Sequence, residues 1–291
     1  MNNYDVVIIG AGQAAIPLAR KLADKGRSVA IAERKHLGGS CVNFGCTPTK
    51  AVVASARVAH LARRAGEFGI SVPAVTADFS KVLDRARAIV RASQEGISSS
   101  LKAHGVKVLC GQARLTGRDG SGFVLHLDGQ AFTANNVVIN TGARTILPPI
   151  EGLSAVDYLH AGNWLRRDQL PKHVIFAGAG AIGLEMAQFY RRMGAQVTVV
   201  GSGSQVAIQE DGEVARAVQA ILETEGIAFR LNSRLKAVAN DPEGVRVIIQ
   251  SAKKEESITG SHLFLATGRK PNTGDLGLEV IGVSMGEKGG D

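Results

Sequence analysis

Two cysteines in a glycine-flanked segment have the most readily interpreted chemistry in the chain. Cys41 and Cys46 are separated by four residues in the stretch GSCVNFGCTPTK, which begins at Gly39. Thiols at this spacing can close a small-loop disulfide, and Pro48 suits the first turn of a helix. The N-terminus of that helix and the cation of Lys50 would stabilise a thiolate. Two buried structural thiols, or half of a zinc site, are the alternatives.

A zinc site is disfavoured, because no second Cys-x-x-Cys pair and no histidine pair completes a set of ligands. The third cysteine, Cys110, ends an apolar strand and has no partner in the sequence, so we expect it to pack in the core. Three cysteines in 291 residues are too few for a secreted disulfide scaffold. Redox chemistry at the pair then requires a source of electrons.

Two glycine-rich turns could bind dinucleotide cofactors that supply these electrons. GAGQAA begins at Gly10 and GAGAIG begins at Gly178, and each follows a β-branched run and precedes a helical pattern. The turn lets the backbone approach a pyrophosphate, which the helix N-terminus then binds. Glu33 follows Gly10 by about 20 residues, where a carboxylate can accept hydrogen bonds from ribose hydroxyls. Ala15 replaces the third glycine, which the pattern tolerates. The two turns together predict two bound dinucleotides, with a structural turn as the alternative for each.

The elements around the two turns repeat, which indicates an internal duplication of a βαβ unit. The strands and helices predicted for the two copies are 4–9, 16–26 and 28–32, then 173–177, 184–193 and 196–200. Between the copies, helical spacing of apolar residues predicts one amphipathic helix from Phe79 to Leu101. Further strands are predicted at 106–109, 122–127, 136–140 and 262–265. The tail beyond Pro271 is expected to be loop-like.

Composition excludes several classes of function. With 45% hydrophobic and 21% charged residues, the chain is typical of a folded protein rather than a disordered one. The net charge is +8, but aromatic residues make up only 4%, so a base-stacking nucleic-acid surface is not indicated. The basic residues between 50 and 107 are interpreted as solvated helix faces. No apolar run is long enough to span a bilayer, and residues 6–19 lack a preceding basic segment. We therefore expect a cytoplasmic protein with no membrane partner.

The segment around Cys41 and Cys46 resembles the redox-active disulfide signature of the FAD-dependent pyridine nucleotide-disulfide oxidoreductases. The resemblance covers essentially the whole chain and is closest to mercuric reductase and dihydrolipoamide dehydrogenase. The first glycine turn falls where the family binds FAD, and the second falls where it binds NAD(P)H. Two Ala/Thr-Gly motifs at the family's domain crossings are matched by Thr141-Gly142-Ala143 and by Ala266-Thr267-Gly268-Arg269.

The resemblance implies roles for individual side chains. Cys46 is the thiol that faces the flavin, and Cys41 is the interchange thiol that attacks the substrate. Lys50 lies beside the flavin ring and Glu185 is its acidic partner, with an ordinary surface carboxylate as the alternative for Glu185. No metal ligand is assigned. The candidate cofactor-binding residues are Gly10, Gly12, Ala15, Glu33, Gly39, Ser40, Lys50, Gly111, Ala113, Thr141, Gly142, Ala143, Gly178, Gly180, Ile182, Gly183, Gly201, Val238 and Gly268.

We therefore predict an α/β fold with two Rossmann-like FAD- and NAD(P)-binding domains, the second inserted in the first. Residues 1–148 form the first part of the FAD domain, 149–266 the NAD(P) domain, and 267–291 a truncated return to the FAD domain. The expected function is electron transfer from NAD(P)H through FAD to the Cys41–Cys46 disulfide, and on to a small-molecule disulfide, dithiol or mercuric ion. An NAD(P)H diaphorase or oxidase, and a catalytically silent nucleotide-binding fragment, are the alternatives.

The sequence departs from the family pattern in two respects. Family members continue to a third FAD segment and a dimerisation domain with a His-Glu catalytic base, and none of the seven histidines here has a matching context. We therefore expect a truncated chain, either monomeric or dimeric, whose FAD domain lacks its closing strand and exposes apolar surface. After the second copy's last strand, Gly201-Ser202-Gly203-Ser204 replaces the acidic residue of NAD-preferring members without adding an arginine, which favours NADPH over NADH.

Overall fold

The computed structural model of the chain describes residues 2–120, 122–252 and 254–286. These residues form two compact units, each assembled from separated stretches of sequence. Unit 1 contains Met1–Thr47, Ala88–Arg144 and Arg269–Asp291, and unit 2 contains Pro48–Arg87 and Thr145–Gly268. Residues 48–87, which fall inside the predicted first domain, therefore group with unit 2. The assignment of FAD and NAD(P)H to particular domains stays a prediction.

Six α-helices and sixteen strands are present in the described part of the chain. The helices are α1 (Ala15–Asp24), α2 (Gly39–Asn43), α3 (Cys46–Arg63), α4 (Phe79–Ala103), α5 (Ala181–Met193) and α6 (Gly212–Thr224). The strands are β1 (Asn2–Ile9), β2 (Val29–Glu33), β3 (Lys107–Cys110), β4 (Ala113–Asp119), β5 (Gly122–Leu127), β6 (Gln130–Ile139), β7 (Ala143–Thr145), β8 (Tyr158–His160), β9 (His173–Ala177), β10 (Gln196–Val200), β11 (Ala228–Arg230), β12 (Ser233–Asp241), β13 (Gly244–Ser251), β14 (Glu255–Gly260), β15 (His262–Leu265) and β16 (Arg269–Pro271). Single 3-10 turns occur at Ala65–Phe68, Leu153–Ala155, Trp164–Arg166 and Leu278–Ile281.

Unit 1 is organised around a six-stranded sheet in the order β3-β2-β1-β6-β5-β4. The first four strands are parallel, whereas β4, β5 and β6 pair antiparallel. Val6 to Ile9 are buried because successive side chains of β1 enter two different cores, as is typical of a parallel strand covered on both faces. Val7 packs with the β4–β5–β6 side, and Ile8 packs with α1 and Leu101.

Unit 2 contains a parallel sheet in the order β11-β10-β9-β15-β8 and an antiparallel sheet in the order β12-β13-β14. Their facing side chains share one core, which includes Ile175 of β9, Val247 of β13 and Leu263 of β15. A second apolar region is aromatic: Phe176 stacks on Phe264 with ring centroids 4.8 Å apart. The predicted α/β fold with parallel, Rossmann-like sheets is confirmed.

The predicted duplication is present, since β1-α1-β2 and β9-α5-β10 follow the same path through their sheets. In each copy the helix begins within the glycine-rich motif, at Ala15 in the first and at Ala181 in the second. The helix α5 ends at Gly194, which has φ 115° and is a left-handed C-cap that glycine adopts at little cost. The predicted boundaries of α1 and α5 differ from the observed ones by at most three residues, and the predicted end of α5 at Met193 is the observed one.

Several elements were absent from the sequence-based prediction. The whole antiparallel sheet β12–β14, strand β4 and helix α6 are among them, and β6 begins six residues earlier than predicted. The tail is also more ordered than a loop: Leu276 and Leu278 are buried in the core of unit 1 beside β4. This part of the tail therefore covers apolar surface that was expected to be exposed, while residues 287–291 lie outside the described residues.

One expectation about an individual residue was wrong. Cys110 is exposed, because it is the last residue of β3, the edge strand of its sheet. Among the basic residues between 50 and 107, Arg87 is partly buried, and its guanidinium donates to the carbonyl oxygen of Leu165 at 2.8 Å and to Asp168 at 2.7 Å. Among the described helices, none is both long enough and apolar enough to cross a membrane.

Candidate dinucleotide cradles and redox pair

A cavity of about 710 Å³ lies in unit 1 where the parallel strands end. This volume is in the range of small-molecule binding pockets, and the carboxyl ends of parallel strands are where doubly wound sheets bind ligands. Most of the residues predicted for the first dinucleotide line it. They are Gly10, Gly12, Glu33, Gly39, Ser40, Gly111, Ala113, Thr141, Gly142 and Ala143, and the predicted interchange thiol Cys41 lines the cavity as well.

Glycines form part of the cavity wall because backbones approach one another closely there. Gly10 has φ 97°, and a Cβ at this position would lie 2.4 Å from the carbonyl oxygen of Asn140. A Cβ at Gly39 would lie 2.8 Å from the Cα of Gly12. The two loops therefore present main chain rather than side chains to the cavity. Such a wall fits a dinucleotide, since main-chain amides at a strand-turn-helix junction bind the pyrophosphate.

Glu33 fixes the glycine loop at the end of β2. Its Oε2 accepts a hydrogen bond from the backbone N–H of Ala11 at 2.8 Å. Its Oε1 accepts from the backbone N–H groups of Lys35 and His36 at 2.7 and 3.2 Å. A carboxylate has about four acceptor positions, so these bonds leave capacity for ribose hydroxyls. The role of Glu33 in ribose binding stays a prediction. Its carboxylate is held at the cavity wall.

The two redox candidates lie at the junction of α2 and α3. Cys41 is in α2 and lines the cavity, Cys46 begins α3, and both are free thiols. Burial raises the pKa of the Cys41 thiol, and its hydrogen bond to Cys46 and the charge of Cys46 raise that pKa further. The backbone amides of Cys46 and Thr47 act in the opposite direction. The predicted helix N-terminus therefore favours the thiolate, but burial outweighs it.

Asn43 anchors the short helix that carries Cys41. Its buried side-chain Nδ2 donates to the carbonyl oxygens of Leu37 at 2.9 Å and Gly39 at 2.8 Å. Its Oδ1 accepts a hydrogen bond from Nε2 of Gln94 in α4. The Asn43 carboxamide thus links Gly39, at the start of α2, to Leu37 before the helix. It also connects this segment to α4 through Gln94. Neither residue was predicted, because an asparagine between two cysteines carries no signal that it is buried.

Arg269 is a second lining residue that the site prediction omitted. Its Nη2 donates to the carbonyl oxygen of Ala143 at 2.7 Å and lies 3.3 Å from Oγ of Ser40, next to Cys41. Its place in the second Thr-Gly motif was the available signal. Further unpredicted lining residues include Phe44, Gln112, Asn140, Asn272, Asp275 and Leu276.

The second glycine turn lies between β9 and α5 in unit 2. Gly178 has φ 117°, and a Cβ there would lie 2.3 Å from the carbonyl oxygen of Ala266. A Cβ at Gly183 would lie 2.2 Å from the carbonyl oxygen of Gly178, so the first turn of α5 packs directly on the loop. Gly180 is the N-cap of α5, and no described heavy atom outside its own chain neighbours and helix lies within 4 Å of its Cβ position. This opening over a helix N-terminus fits a pyrophosphate.

The remaining candidates differ in their surroundings. Ile182 is exposed on α5, while Gly201 follows β10 and Gly268 follows β15 with φ 105°. Val238 is buried in the core of unit 2, and its N–H donates to the backbone carbonyl oxygen of Glu151 at 2.8 Å. Ala15 is buried and does not line the cavity; it allows α1 to pack closely on the sheet.

Lys50 and Glu185, which were predicted as partners, meet in unit 2. The Nζ of Lys50 lies 2.5 Å from Oε1 of Glu185. Both side chains retain solvent exposure, so the attraction between their charges is moderated by water. Lys50 also lies one turn after Cys46 in α3.

The sequence profile of the family described as "Pyridine nucleotide-disulphide oxidoreductase" matches residues 4–290. The chain belongs to this family. The predicted resemblance is thereby confirmed, and members of the family such as mercuric reductases and dihydrolipoamide dehydrogenases use FAD and NAD(P)H.

Individual relatives agree with this assignment. A mercuric reductase of Streptomyces lividans is 36% identical over 291 residues, which cover 98% of this chain and 61% of that protein. A dihydrolipoyl dehydrogenase 3 of Pseudomonas aeruginosa is 35% identical over 299 residues, which cover 99% of this chain and 63% of that protein. The chain therefore spans about three-fifths of the length of these relatives.

Solved structures of similar proteins share the fold. The HOCl-induced flavoprotein disulfide reductase RclA of Escherichia coli has a TM-score of 0.85 at 28% identity, covering 98% of this chain and 61% of that one. LpdA of Mycobacterium tuberculosis has a TM-score of 0.87 at 26% identity, covering 99% of this chain and 63% of that one.

Proposed function

We propose that this chain is the nucleotide-binding and thiol-bearing part of an FAD-dependent NAD(P)H oxidoreductase that acts on a small disulfide, a dithiol or mercuric ion. The observation that carries the proposal is the position of Cys41. It lines the same cavity as the glycine turn of unit 1, and Cys46 follows it at the start of the next helix, α3. A thiol in the wall of a dinucleotide cavity, with a second thiol at the start of the next helix, suits electron transfer from a bound cofactor to sulfur.

The two cofactors are assigned to different units. FAD is assigned to the cavity of unit 1, where Gly10, Gly12 and Gly39 form a main-chain wall and Glu33 is held at the end of β2. NAD(P)H is assigned to unit 2, where the space beside Gly180, at the N-terminus of α5, is open among the described residues. Bound FAD supplies the capacity to accept a hydride from reduced nicotinamide and to deliver two electrons to sulfur.

Reduction of a substrate disulfide can be written for the thiol pair alone. The thiolate of Cys41 attacks one sulfur of the substrate, which forms a mixed disulfide and releases the first substrate thiolate. Cys46 then attacks Sγ of Cys41, which releases the second thiolate and leaves the Cys41–Cys46 disulfide. The protons of the two cysteine thiols end on the two released thiolates. The pair loses two electrons, and the substrate gains them.

The raised pKa of Cys41 determines what this step requires. Since burial keeps the thiol protonated, the attacking thiolate forms only when a proton is removed. The amides of Cys46 and Thr47 then stabilise the charge on sulfur. For mercuric ion, the same two sulfurs are soft ligands of the kind that bind soft metal ions. The pair thus serves either substrate class, and the test below includes both.

The proposal is tested by anaerobic titration of the purified, FAD-loaded chain with NADPH. We expect the flavin absorbance to decrease, and we expect the chain to reduce a small disulfide or mercuric ion. A Cys41→Ser variant should lose sulfur and mercuric reduction by at least about a hundredfold, since the nucleophile is removed, while reduction of a redox dye continues. Cys110→Ser is the matched control, because Cys110 is an exposed cysteine outside the pair.

Two outcomes would contradict the proposal. If Cys41→Ser keeps full disulfide or mercuric reduction, the pair does not carry the electrons and the chain is a diaphorase. If the wild-type chain binds no FAD and no NADPH, it does not use these cofactors.

A further inference from the structure

The two βαβ copies differ at the residue that precedes each Thr-Gly motif. This residue is Asn140 in unit 1 and Ala266 in unit 2. Their backbones have the same place relative to the first glycine: a Cβ at Gly10 would lie 2.4 Å from the oxygen of Asn140, and one at Gly178 would lie 2.3 Å from that of Ala266. The positions are therefore equivalent, and the difference between the copies is in the side chain.

The Asn140 carboxamide fills the space beside the second glycine of unit 1. A Cβ at Gly12 would lie 2.7 Å from Nδ2 of Asn140. The same Nδ2 donates a hydrogen bond to the carbonyl oxygen of Gly10 at 3.2 Å. A carbonyl oxygen can only accept, so the amide must present its NH₂ group to the loop. In unit 2 the equivalent space at Gly180 is open among the described residues.

The absence of a side chain at residue 12 keeps the Asn140 hydrogen bond in place. Gly12 does not have a left-handed φ, so glycine is not needed there to reach a positive φ. The atom that a Cβ at this position would meet most closely is Nδ2 of Asn140, at the end of a flexible side chain. A Cβ at residue 12 would therefore displace the Asn140 carboxamide and disturb its hydrogen bond to Gly10.

We propose that Asn140 is a positioning residue that holds the first glycine loop in its ligand-binding conformation and thereby raises the affinity of unit 1 for FAD. The proposal rests on the assignment of FAD to unit 1. A loop already held in its bound conformation loses less conformational freedom when a ligand binds. Asn140 lines the cavity, so its carboxamide also lies where a bound dinucleotide contacts the wall.

The first test compares FAD binding by three variants of the full chain. Asn140→Ala removes the carboxamide, and Asn140→Asp keeps its shape but removes the donor to Gly10. Asn136→Ala is the matched control, because Asn136 lies in β6, four residues before Asn140, and donates to the carbonyl oxygen of Asp5 in β1 at 3.3 Å, away from the cavity. One hydrogen bond contributes about 1 kcal/mol, so we expect both Asn140 variants to bind FAD about five- to tenfold more weakly.

Calorimetric titration with FAD and, separately, with NADPH distinguishes the possible outcomes. The expected result is weaker FAD binding by the Asn140 variants, unchanged FAD binding by Asn136→Ala, and unchanged NADPH binding by all. Wild-type FAD affinity in both Asn140 variants would overturn this inference and leave the proposed function intact. No FAD binding by the wild-type chain would overturn both.

A second test needs no cofactor and measures the contact itself. Gly12→Ala is expected to lower the Tm of the apo chain, since the new Cβ collides with the Asn140 carboxamide. In the Asn140→Ala background, Gly12→Ala should lower the Tm by less, because the space that the Asn140 carboxamide filled is open. The two substitutions should therefore be non-additive in a double-mutant cycle. Additive losses of stability would show that Asn140 does not position the loop at Gly12, and would overturn the inference.

Discussion

The Nζ of Lys50 and the Oε1 of Glu185 lie 2.5 Å apart, although 135 residues separate them in the sequence. Lys50 follows Cys46 by one turn of α3, and Glu185 follows Gly180 in the first turns of α5. The ion pair therefore joins α3 to α5 within unit 2. Its two side chains remain exposed, so its contribution to stability is small.

Neutralising Glu185 should slow electron entry without destabilising the protein. An exposed ion pair contributes up to about 1 kcal/mol, so Glu185→Gln is expected to reduce the rate of flavin reduction by NADPH about fivefold. Its Tm should change by no more than a few degrees. Stopped-flow absorbance measures the rate, and Glu67→Gln, which breaks the exposed pair with Arg64, is the control. Equal rates in all three proteins would argue against a role for Glu185.

The raised pKa of Cys41 predicts a pH dependence of alkylation. In a Cys110→Ser background, iodoacetamide should modify Cys41 with a midpoint above the ordinary thiol value of about 8.5, since burial and Cys46 both disfavour the thiolate. Cys46→Ala removes the hydrogen bond and charge of Cys46, so it should lower that midpoint. Mass spectrometry of the alkylated peptide over a pH series gives both values. A midpoint at or below the ordinary value in the reduced protein would contradict the burial argument.

Breaking the link between Gln94 and Asn43 should destabilise unit 1. Gln94→Leu leaves the Oδ1 of Asn43 without its donor, and a buried acceptor without a partner costs about 1–3 kcal/mol. Urea unfolding measures the free-energy change. The control is Gln219→Leu, because Gln219 donates a comparable bond to Glu223 at 2.8 Å on an exposed helix surface. If the two variants lose similar stability, Asn43 does not depend on Gln94.

The shielded ion pair between Arg192 and Glu225 should make the stability of unit 2 sensitive to acid. Burial alone would raise the pKa of Glu225, but the hydrogen bonds and charge of Arg192 hold that pKa below the ordinary glutamate value near 4.5. The stability that the carboxylate contributes is therefore present above pH 4.5 and is lost as pH falls through the lowered pKa.

Glu225→Gln measures this contribution. At pH 7 the substitution is expected to cost about 3 kcal/mol, since it leaves Arg192 without its charged partner in a shielded place. The difference from the wild type should shrink as the pH approaches 3, and urea unfolding at both pH values checks it. Glu255→Gln, in an exposed pair with Lys236, should cost less than 1 kcal/mol or so at either pH. A pH-independent difference for Glu225→Gln would contradict the assignment.

Local patterns in the sequence were sufficient for the two glycine turns, their flanking strands and helices, and the cysteine pair. Each of these depends on residues within about 30 positions of one another, so hydrophobic periodicity and turn chemistry specify them directly. The same patterns were insufficient where burial depends on sheet order. Cys110 ends an apolar run, yet it is exposed because β3 lies at the edge of its sheet. The antiparallel sheet β12–β14 was missed although Asp241-Pro242-Glu243-Gly244 is a turn signal and β13 alternates between buried and exposed residues, because such local patterns do not record which strands pair.

The sequence by itself therefore determined the fold class, the family and most residues of the first cradle, because short segments encode them. Only the tertiary structure decided which side chains support those segments. It brought Gln94 to Asn43, Glu185 to Lys50, and Asn140 beneath Gly12. The physical reason is that each contact joins residues far apart in the chain. Strand order and helix packing set such distances, and no local pattern of residue types records them.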